Sequence, residues 1–308
     1  MARVVVVGAA QLGPIAREET RAEVVSRMIA LMEKAASRHC DVVAFPELAL
    51  TTFFPRWFME DQADVDAFFE KSMPNDDVAP LFARARELKI GFSLGYGELT
   101  EIDGVTHRYN TTIIVDKAGN IVHRYRKIHL PGHPEHEPWR PFQHLEKRYF
   151  EPGPEPFSAA SVFGGIFGQA ICNDRRWPET YRELALRGVE MVLIGYNTPV
   201  HYPLAPEHDH LQCFHNHLSL QAGAYQNGMW VVGIAKAGKE EGCDLIGQSC
   251  IIAPTGEIVA MAGTLGDELI TYDCDLDRCL EIRKNIFNFK LHRRPELYTA
   301  LTSANLDG

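Results

Sequence analysis

Phe163-Gly164-Gly165-Ile166-Phe167-Gly168-Gln169-Ala170-Ile171-Cys172-Asn173-Asp174-Arg175-Arg176-Trp177-Pro178-Glu179 decides how the chain is built. An apolar run ends at Cys172. Pro178, tolerated in the first turn of a helix, opens an amphipathic stretch that continues through Tyr181, Leu184 and Leu186 to Gly188. The reading is a strand, a corner and a helix, with Cys172 on the corner. There the side chain is expected to be exposed, and the helix N-terminal N–H groups, with Arg175 and Arg176 beside them, favour thiolate over thiol. A cysteine so placed is a candidate nucleophile, whereas one elsewhere is ordinarily a small buried hydrophobe.

The same alternation of strand and helix runs outward in both directions. A strand over 3–11 leads to a helix over 20–38, capped by Thr20, on which Val24, Val25, Met28, Ile29, Met32 and Ala36 recur at helical spacing. A short buried strand over 41–45 stops at Pro46-Glu47, and a helix over 78–88 precedes a strand over 90–99. Two hairpin signals follow, at 109–115 with 121–125 and at 249–253 with 257–261, so the sheets are mixed rather than purely parallel. The class is α/β. The proline-rich stretch 130–156 reads as a long functional loop. The polar tail 286–308 reads as an arm that packs on a neighbouring subunit, leaving one domain over 1–285.

Composition narrows the function. Of 308 residues, 45% are hydrophobic and 23% charged, as in soluble proteins. Lys and Arg total 31 against 41 for Asp and Glu, a formal net charge of -10 that argues against nucleic acid as a partner. No apolar stretch is long enough to span a membrane. The seven cysteines are odd in number and widely spaced, with no C-x-x-C pair. Without a secretion signal, that pattern predicts free thiols and a cytoplasmic location.

Two further strand ends deliver chemistry. Val42-Val43-Ala44-Phe45-Pro46-Glu47 ends on a carboxylate and Val122-His123-Arg124-Tyr125-Arg126-Lys127 on an ammonium. A thiol attacking an amide-like carbon needs a base for its proton and a positive charge for the oxyanion. Glu47 suits the first role and Lys127 the second.

These segments, Phe45-Pro46-Glu47, Tyr125-Arg126-Lys127-Ile128-His129-Leu130 and Cys172 to Glu179, resemble the three signature segments of the nitrilase superfamily of carbon-nitrogen hydrolases. Longer stretches, FPELALTTFFPRW from Phe45, KIHLPG from Lys127 and RPFQHLEKRYFEPG from Arg140, resemble the N-carbamoyl-D-amino-acid amidohydrolases within it. The resemblance implies a single-domain four-layer α-β-β-α sandwich that assembles as a homodimer or homotetramer. It also implies hydrolysis through a cysteine thioester with neither metal nor cofactor. Glu47, Lys127 and Cys172 fall on its catalytic positions, and Glu146 falls on an additional carboxylate near the carbamoyl group. The implied partner is a small N-carbamoyl amino acid. The preference for the D form comes from the resemblance alone.

Substrate-binding residues have reasons of their own. Arg175 and Arg176 offer forked donors to a carboxylate, although either has Asp174 or Glu179 as a rival partner and one of two neighbours should point away. Asn173 is expected to lend a backbone N–H to the oxyanion, and Asn197, at the end of a strand over 191–196, is a further donor. His129 and His144 stand either as ligand donors or as braces for Glu146. The rival from another class is a metal-dependent hydrolase using His201, His208, His210, His215 and His217, but His215 and His217 lie two apart on a helix and face different ways. A scaffold without activity would be expected to lack one of Glu47, Lys127 and Cys172. Gly95-Tyr96-Gly97 lacks the rest of a nucleotide-binding pattern.

Overall fold

Alternate side chains of the first strand serve two different cores. In β1 (Val4–Gln11), Val5, Val7 and Ala9 share a core with Phe167, Leu193 and Val232, while Ala10 joins Val24, Met28 and Phe92 on the other face. The computed structural model describes residues 2–303. The remaining strands are β2 (Val42–Ala44), β3 (Gly91–Ile102), β4 (Val105–Val115), β5 (Ile121–Arg126), β6 (Ala159–Val162), β7 (Gly165–Ile171), β8 (Met191–Tyr196), β9 (Trp230–Ala235), β10 (Ala237–Glu240), β11 (Cys243–Ile246), β12 (Cys250–Ile252), β13 (Ile258–Met261) and β14 (Glu268–Asp275).

Two six-stranded sheets result, in the orders β14-β1-β2-β3-β4-β5 and β13-β12-β9-β8-β7-β6. Each has a parallel centre, β1-β2-β3 in one and β7-β8-β9 in the other, with antiparallel strands at both sides. The mixed character expected from the hairpins is observed. Their inner faces pack on one another, and their outer faces are covered by helices.

Outside the first sheet, Arg21–Ser37 begins at Thr20 in a reciprocal capping box with Glu23 and buries Val24, Val25, Met28, Leu31, Met32 and Ala35. It packs with Leu81, Phe82 and Ala85 of the helix Ala79–Leu88 over Val43, Phe45 and Leu94. Outside the second, Tyr181 and Leu184 of Pro178–Leu186, with Leu220 and Ala224 of Gln212–Asn227, cover Ala170, Val192, Ile194 and Val231. The order of layers is α-β-β-α. Among the described residues no helix is long and apolar enough to cross a membrane.

The stretch 130–156 is irregular apart from one helical turn, Glu146–Tyr149, whose Tyr149 packs with Phe54, Phe69 and Phe150. At the C-terminal end, Phe289 packs on the outer helices of its own chain beneath the Arg182 guanidinium, 4.2 Å from the ring centre, while Leu291, Leu297 and Leu301 are exposed. Part of the expected arm, 304–308, lies outside the described residues.

Candidate active site

β2, β7 and β8 all run toward the same edge of the sandwich, and β5 ends there as well, so the loops following four strands meet over one spot. Cys172 follows β7 with a positive φ of 46°, rare for a residue with a side chain, and a short 3-10 turn Cys172–Arg176 separates it from the helix at Pro178. The turn is held by Asp174, whose buried carboxylate accepts from the Ile171 N–H at 2.9 Å, the Tyr125 hydroxyl at 2.8 Å and the His129 N–H at 3.1 Å.

One expectation for the corner fails. Cys172 is only 6% exposed, and burial together with the nearby Glu47 carboxylate pushes its thiol up, outweighing the opposite pull of Lys127 and Arg175. A nucleophile in this position rests as a thiol and needs a base.

That base is at hand. Lys127 Nζ lies between two carboxylates, 2.7 Å from Glu47 Oε1 and 2.5 Å from Glu146 Oε2, and all three side chains are sealed from solvent. Burial alone would depress the Lys127 ammonium, but Glu146 and Glu47 overcome this and hold it protonated well above its ordinary range. Burial alone would raise Glu146, but Lys127 and a 3.1 Å contact from His144 Nε2 hold it below the usual carboxylate range. Glu47 is fixed from every side: Oε1 also accepts from Asn110 Nδ2 at 2.8 Å, and Oε2 accepts from the Asn197 N–H at 3.1 Å.

The Glu47 backbone threads between two glycines, one from each sheet. A Cβ on Gly195 would lie 2.4 Å from the Glu47 nitrogen, and one on Gly95 would lie 2.6 Å from the Pro46 carbonyl oxygen. The Gly195→Ala variant should therefore stay folded yet lose activity on the order of 10²-fold by displacing Glu47, mostly in kcat. Steady-state kinetics beside a thermal melt would check this, and an unaltered kcat would count against the fit.

The substrate-binding expectations divide. Asn173 and Arg176 line a cavity of about 830 Å³ together with Leu130, His144 and Thr198. Arg176 is exposed there, and its guanidinium has no hydrogen-bond or ion-pair partner among the described residues. Arg175, by contrast, does not line this cavity. It is 1% exposed and donates to the Cys172 carbonyl at 2.6 Å, Asn216 Oδ1 at 2.8 Å and Thr198 Oγ1 at 2.7 Å, with the Tyr196 ring 4.7 Å away. Asn197 is likewise no free oxyanion donor, since its Nδ2 bonds the Glu47 carbonyl at 2.7 Å. His129 turns to Asp174 (Nδ1–Oδ1 2.7 Å) and stacks on Trp177, so it braces the corner rather than Glu146. His144 is the histidine that braces Glu146.

The other histidines do not assemble as ligands. His201 pairs with Asp209 at 2.7 Å, and among the described residues no three His, Cys, Asp or Glu side chains are grouped to hold a metal ion. The sequence reading does not reach Asn110, Gly195 and Thr198, and it weighs Gly95 only as part of an incomplete nucleotide-binding pattern. Nothing local marks them, because each acts on a group far away along the chain. Asp174 was visible only as a rival partner for the arginines.

Known proteins bear on this arrangement. An N-carbamoylputrescine amidase of Solanum lycopersicum is 29% identical over 263 residues, 80% of either chain, and a Pyrococcus abyssi protein named nitrilase is 28% identical over 270 residues, 87% of this chain and 90% of its own. These names differ from the N-carbamoyl-D-amino-acid resemblance and do not repeat it. Among solved structures, a carbon-nitrogen hydrolase from Helicobacter pylori G27 superimposes with a TM-score of 0.83 at 22% identity, covering 98% of this chain and 99% of its own. An amidase mutant from Nesterenkonia sp. AN1, described with the acetamide moiety of fluoroacetamide added covalently at its active site cysteine, does so at 0.71 and 19%, covering 97% of each. These two likenesses establish the shared fold. The family model for carbon-nitrogen hydrolases matches residues 6–284, nearly the whole sandwich, and the chain belongs to that family.

Proposed function

We propose that the protein hydrolyses N-carbamoyl amino acids, of the D series, to the amino acid, ammonia and carbon dioxide. The observation that carries this reading is the Arg176 guanidinium, unpaired among the described residues, in a cavity that Asn173, the chain neighbour of Cys172, also lines. An N-carbamoyl amino acid bears a carboxylate one carbon from its ureido nitrogen, where a forked donor near the nucleophile would meet it. The cavity favours anions more widely. Arg140, Lys147 and Arg176 line it, while its one lining carboxylate, Glu137, is already paired with Arg140 at 2.6 Å. The distal ammonium of N-carbamoylputrescine, the substrate in the name of one relative, would find no free carboxylate among these residues.

In the proposed reaction Cys172 Sγ attacks the ureido carbon as its proton passes to Glu47. Lys127 and the Asn173 N–H stabilise the oxyanion, and Glu47 hands the proton to the departing ammonia. Water activated by Glu47 then cleaves the thioester. The N-carboxy amino acid released loses carbon dioxide. Glu146 holds Lys127 in place and faces the carbamoyl group. Arg175, bonded to the Cys172 carbonyl, keeps the corner in its left-handed conformation. The enzyme works as a homodimer or homotetramer in the cytoplasm, needs no cofactor, and the arm 286–308 joins its subunits.

The test is ammonia release from paired D- and L-N-carbamoyl amino acids, with N-carbamoylputrescine and a simple amide alongside. Arg176→Ala should cost on the order of 10²-fold in kcat/KM on the carbamoyl amino acid and little on the simple amide. Equal losses on both would give Arg176 a structural role, and preference for the putrescine derivative would displace the proposal.

A further inference from the structure

A second set of buried charges lies behind the first and takes no part in the reaction just outlined. Arg56, Lys236 and Glu240 are 3%, 0% and 0% exposed. Glu240 Oε2 accepts from Lys236 Nζ at 2.6 Å and from the Ile15 N–H at 3.1 Å. Its Oε1 accepts from the Phe53 N–H at 2.8 Å and from Arg56 Nη1 at 3.1 Å. Lys236 Nζ also donates to the Thr51 carbonyl at 2.9 Å. One glutamate thus gathers donors from two distant stretches of chain and from Lys236, four residues before it.

The segment it clamps, 51–56, supports both carboxylates that flank Lys127. Glu47 lies four residues before its first residue, Thr51. The Leu145 N–H donates to the Pro55 carbonyl at 2.8 Å and the Gln143 N–H to the Arg56 carbonyl at 2.9 Å, so the backbone entering the Glu146 turn is stitched to the same segment. His144, which braces Glu146, meets the Phe53 ring edge-on at 5.8 Å, and the Arg56 guanidinium lies 4.9 Å from the centre of that ring.

Charge points the same way. Glu47, Lys127 and Glu146 carry one surplus negative charge, whereas Arg56, Lys236 and Glu240 carry one surplus positive charge. Either cluster alone would bury an uncompensated charge, a heavy cost in so dry a place. Charges retained at such cost need a use beyond filling space, since apolar groups of similar volume would fill it without loss.

We propose that Glu240 is a positioning residue, clamping 51–56 so that Glu47 and Glu146 close on Lys127, with Lys236 and Arg56 supplying the compensating charge. This rests on the assignment of Glu47, Lys127 and Cys172 to the reaction given above. The test uses the full-length chain carrying Glu240→Gln. Two quantities are read: kcat and KM on the preferred carbamoyl amino acid, and the rate at which iodoacetamide alkylates Cys172, mapped by mass spectrometry. The expected result is a kcat roughly 10- to 100-fold lower with little change in KM, and slower alkylation of Cys172.

A triple variant, Arg56→Met with Lys236→Met and Glu240→Leu, separates positioning from stability. It is expected to melt at or above the wild type and still show the low kcat. Wild-type kcat in a folded triple variant, or unchanged kcat and alkylation in Glu240→Gln, would overturn the proposal. If Glu240→Gln does not fold, Glu240→Asp takes its place, with partial recovery of kcat expected and wild-type kcat overturning. Should the wild type hydrolyse no carbamoyl amino acid, the substrate reading fails while the alkylation comparison still decides the role of Glu240.

Discussion

Cys172→Ala is expected to reduce turnover by at least ~10⁴-fold, to the background set by binding and oxyanion stabilisation. The fold should survive, because among the described residues the sulfur's one hydrogen-bond contact is the 3.7 Å approach of Arg175 Nη1, and the neighbouring backbone is pinned independently by Asp174. Cys172→Ser should be nearly as inactive. A hydroxyl holds its proton harder than a thiol, and burial with Glu47 alongside already works against ionisation at this site. The same burial makes a second variant informative. With the thiol pushed up, the proton must leave as the bond forms, and Glu47→Gln removes its acceptor while keeping the shape. Residual activity in Glu47→Gln should then rise with pH as thiolate forms unaided. A pH–rate profile and mass spectrometry of the stalled acyl-enzyme would check both points, and a working Cys172→Ala enzyme would end the covalent proposal.

How far the sequence could be read follows from this geometry. Glu47, Lys127 and Cys172 were legible because each stands just past a run that reads as a strand, and the ends of strands are where an α/β sandwich gathers side chains. The helix at Thr20 and both hairpins were legible because capping and turn chemistry are local. Exposure was not. The corner at Cys172 was read as open, and it is closed by Arg175, whose partners Asn216 and Thr198 come from other elements. Asn110 sits in mid-strand with nothing around it to mark it, yet it bonds a carboxylate 63 positions away. Gly195 reads as a gap in a strand until Glu47 is seen passing it at 2.4 Å from where a Cβ would be. Such roles are set by which strands become neighbours across the two sheets. Hydrophobic periodicity assigns a residue to a face and leaves its partner unspecified.

Lys127→Met should produce the largest loss of stability among single changes at this site. Among the described residues the ammonium is the one cationic group that touches both Glu47 and Glu146, and all three side chains are 0% exposed. Its removal leaves two carboxylates sharing a dry cavity, a defect costing about 3–5 kcal/mol. For a chain of this size that is a fall in Tm of roughly 5–15 °C. The pH dependence carries a sign. In the wild type Glu146 is depressed, so its contribution is present above the ordinary carboxylate range and disappears as pH falls through the folded value. Lys127 is raised, so its contribution is complete below its ordinary range and is lost only as pH rises through the folded value. Between those limits the wild-type cluster should titrate silently. Without Lys127, burial and mutual repulsion raise the carboxylates, the folded state takes up a proton, and stability is gained as pH falls. Thermal melts at pH 5 and pH 8 should show the deficit of Lys127→Met shrinking toward acid. Lys127→Met with Glu146→Gln, which puts a neutral amide opposite Glu47, should recover much of the lost stability and none of the activity. A deficit of the same size at both pH values, or no recovery in the double variant, would mean that Lys127 contributes through packing and not as the counter-charge of this pair.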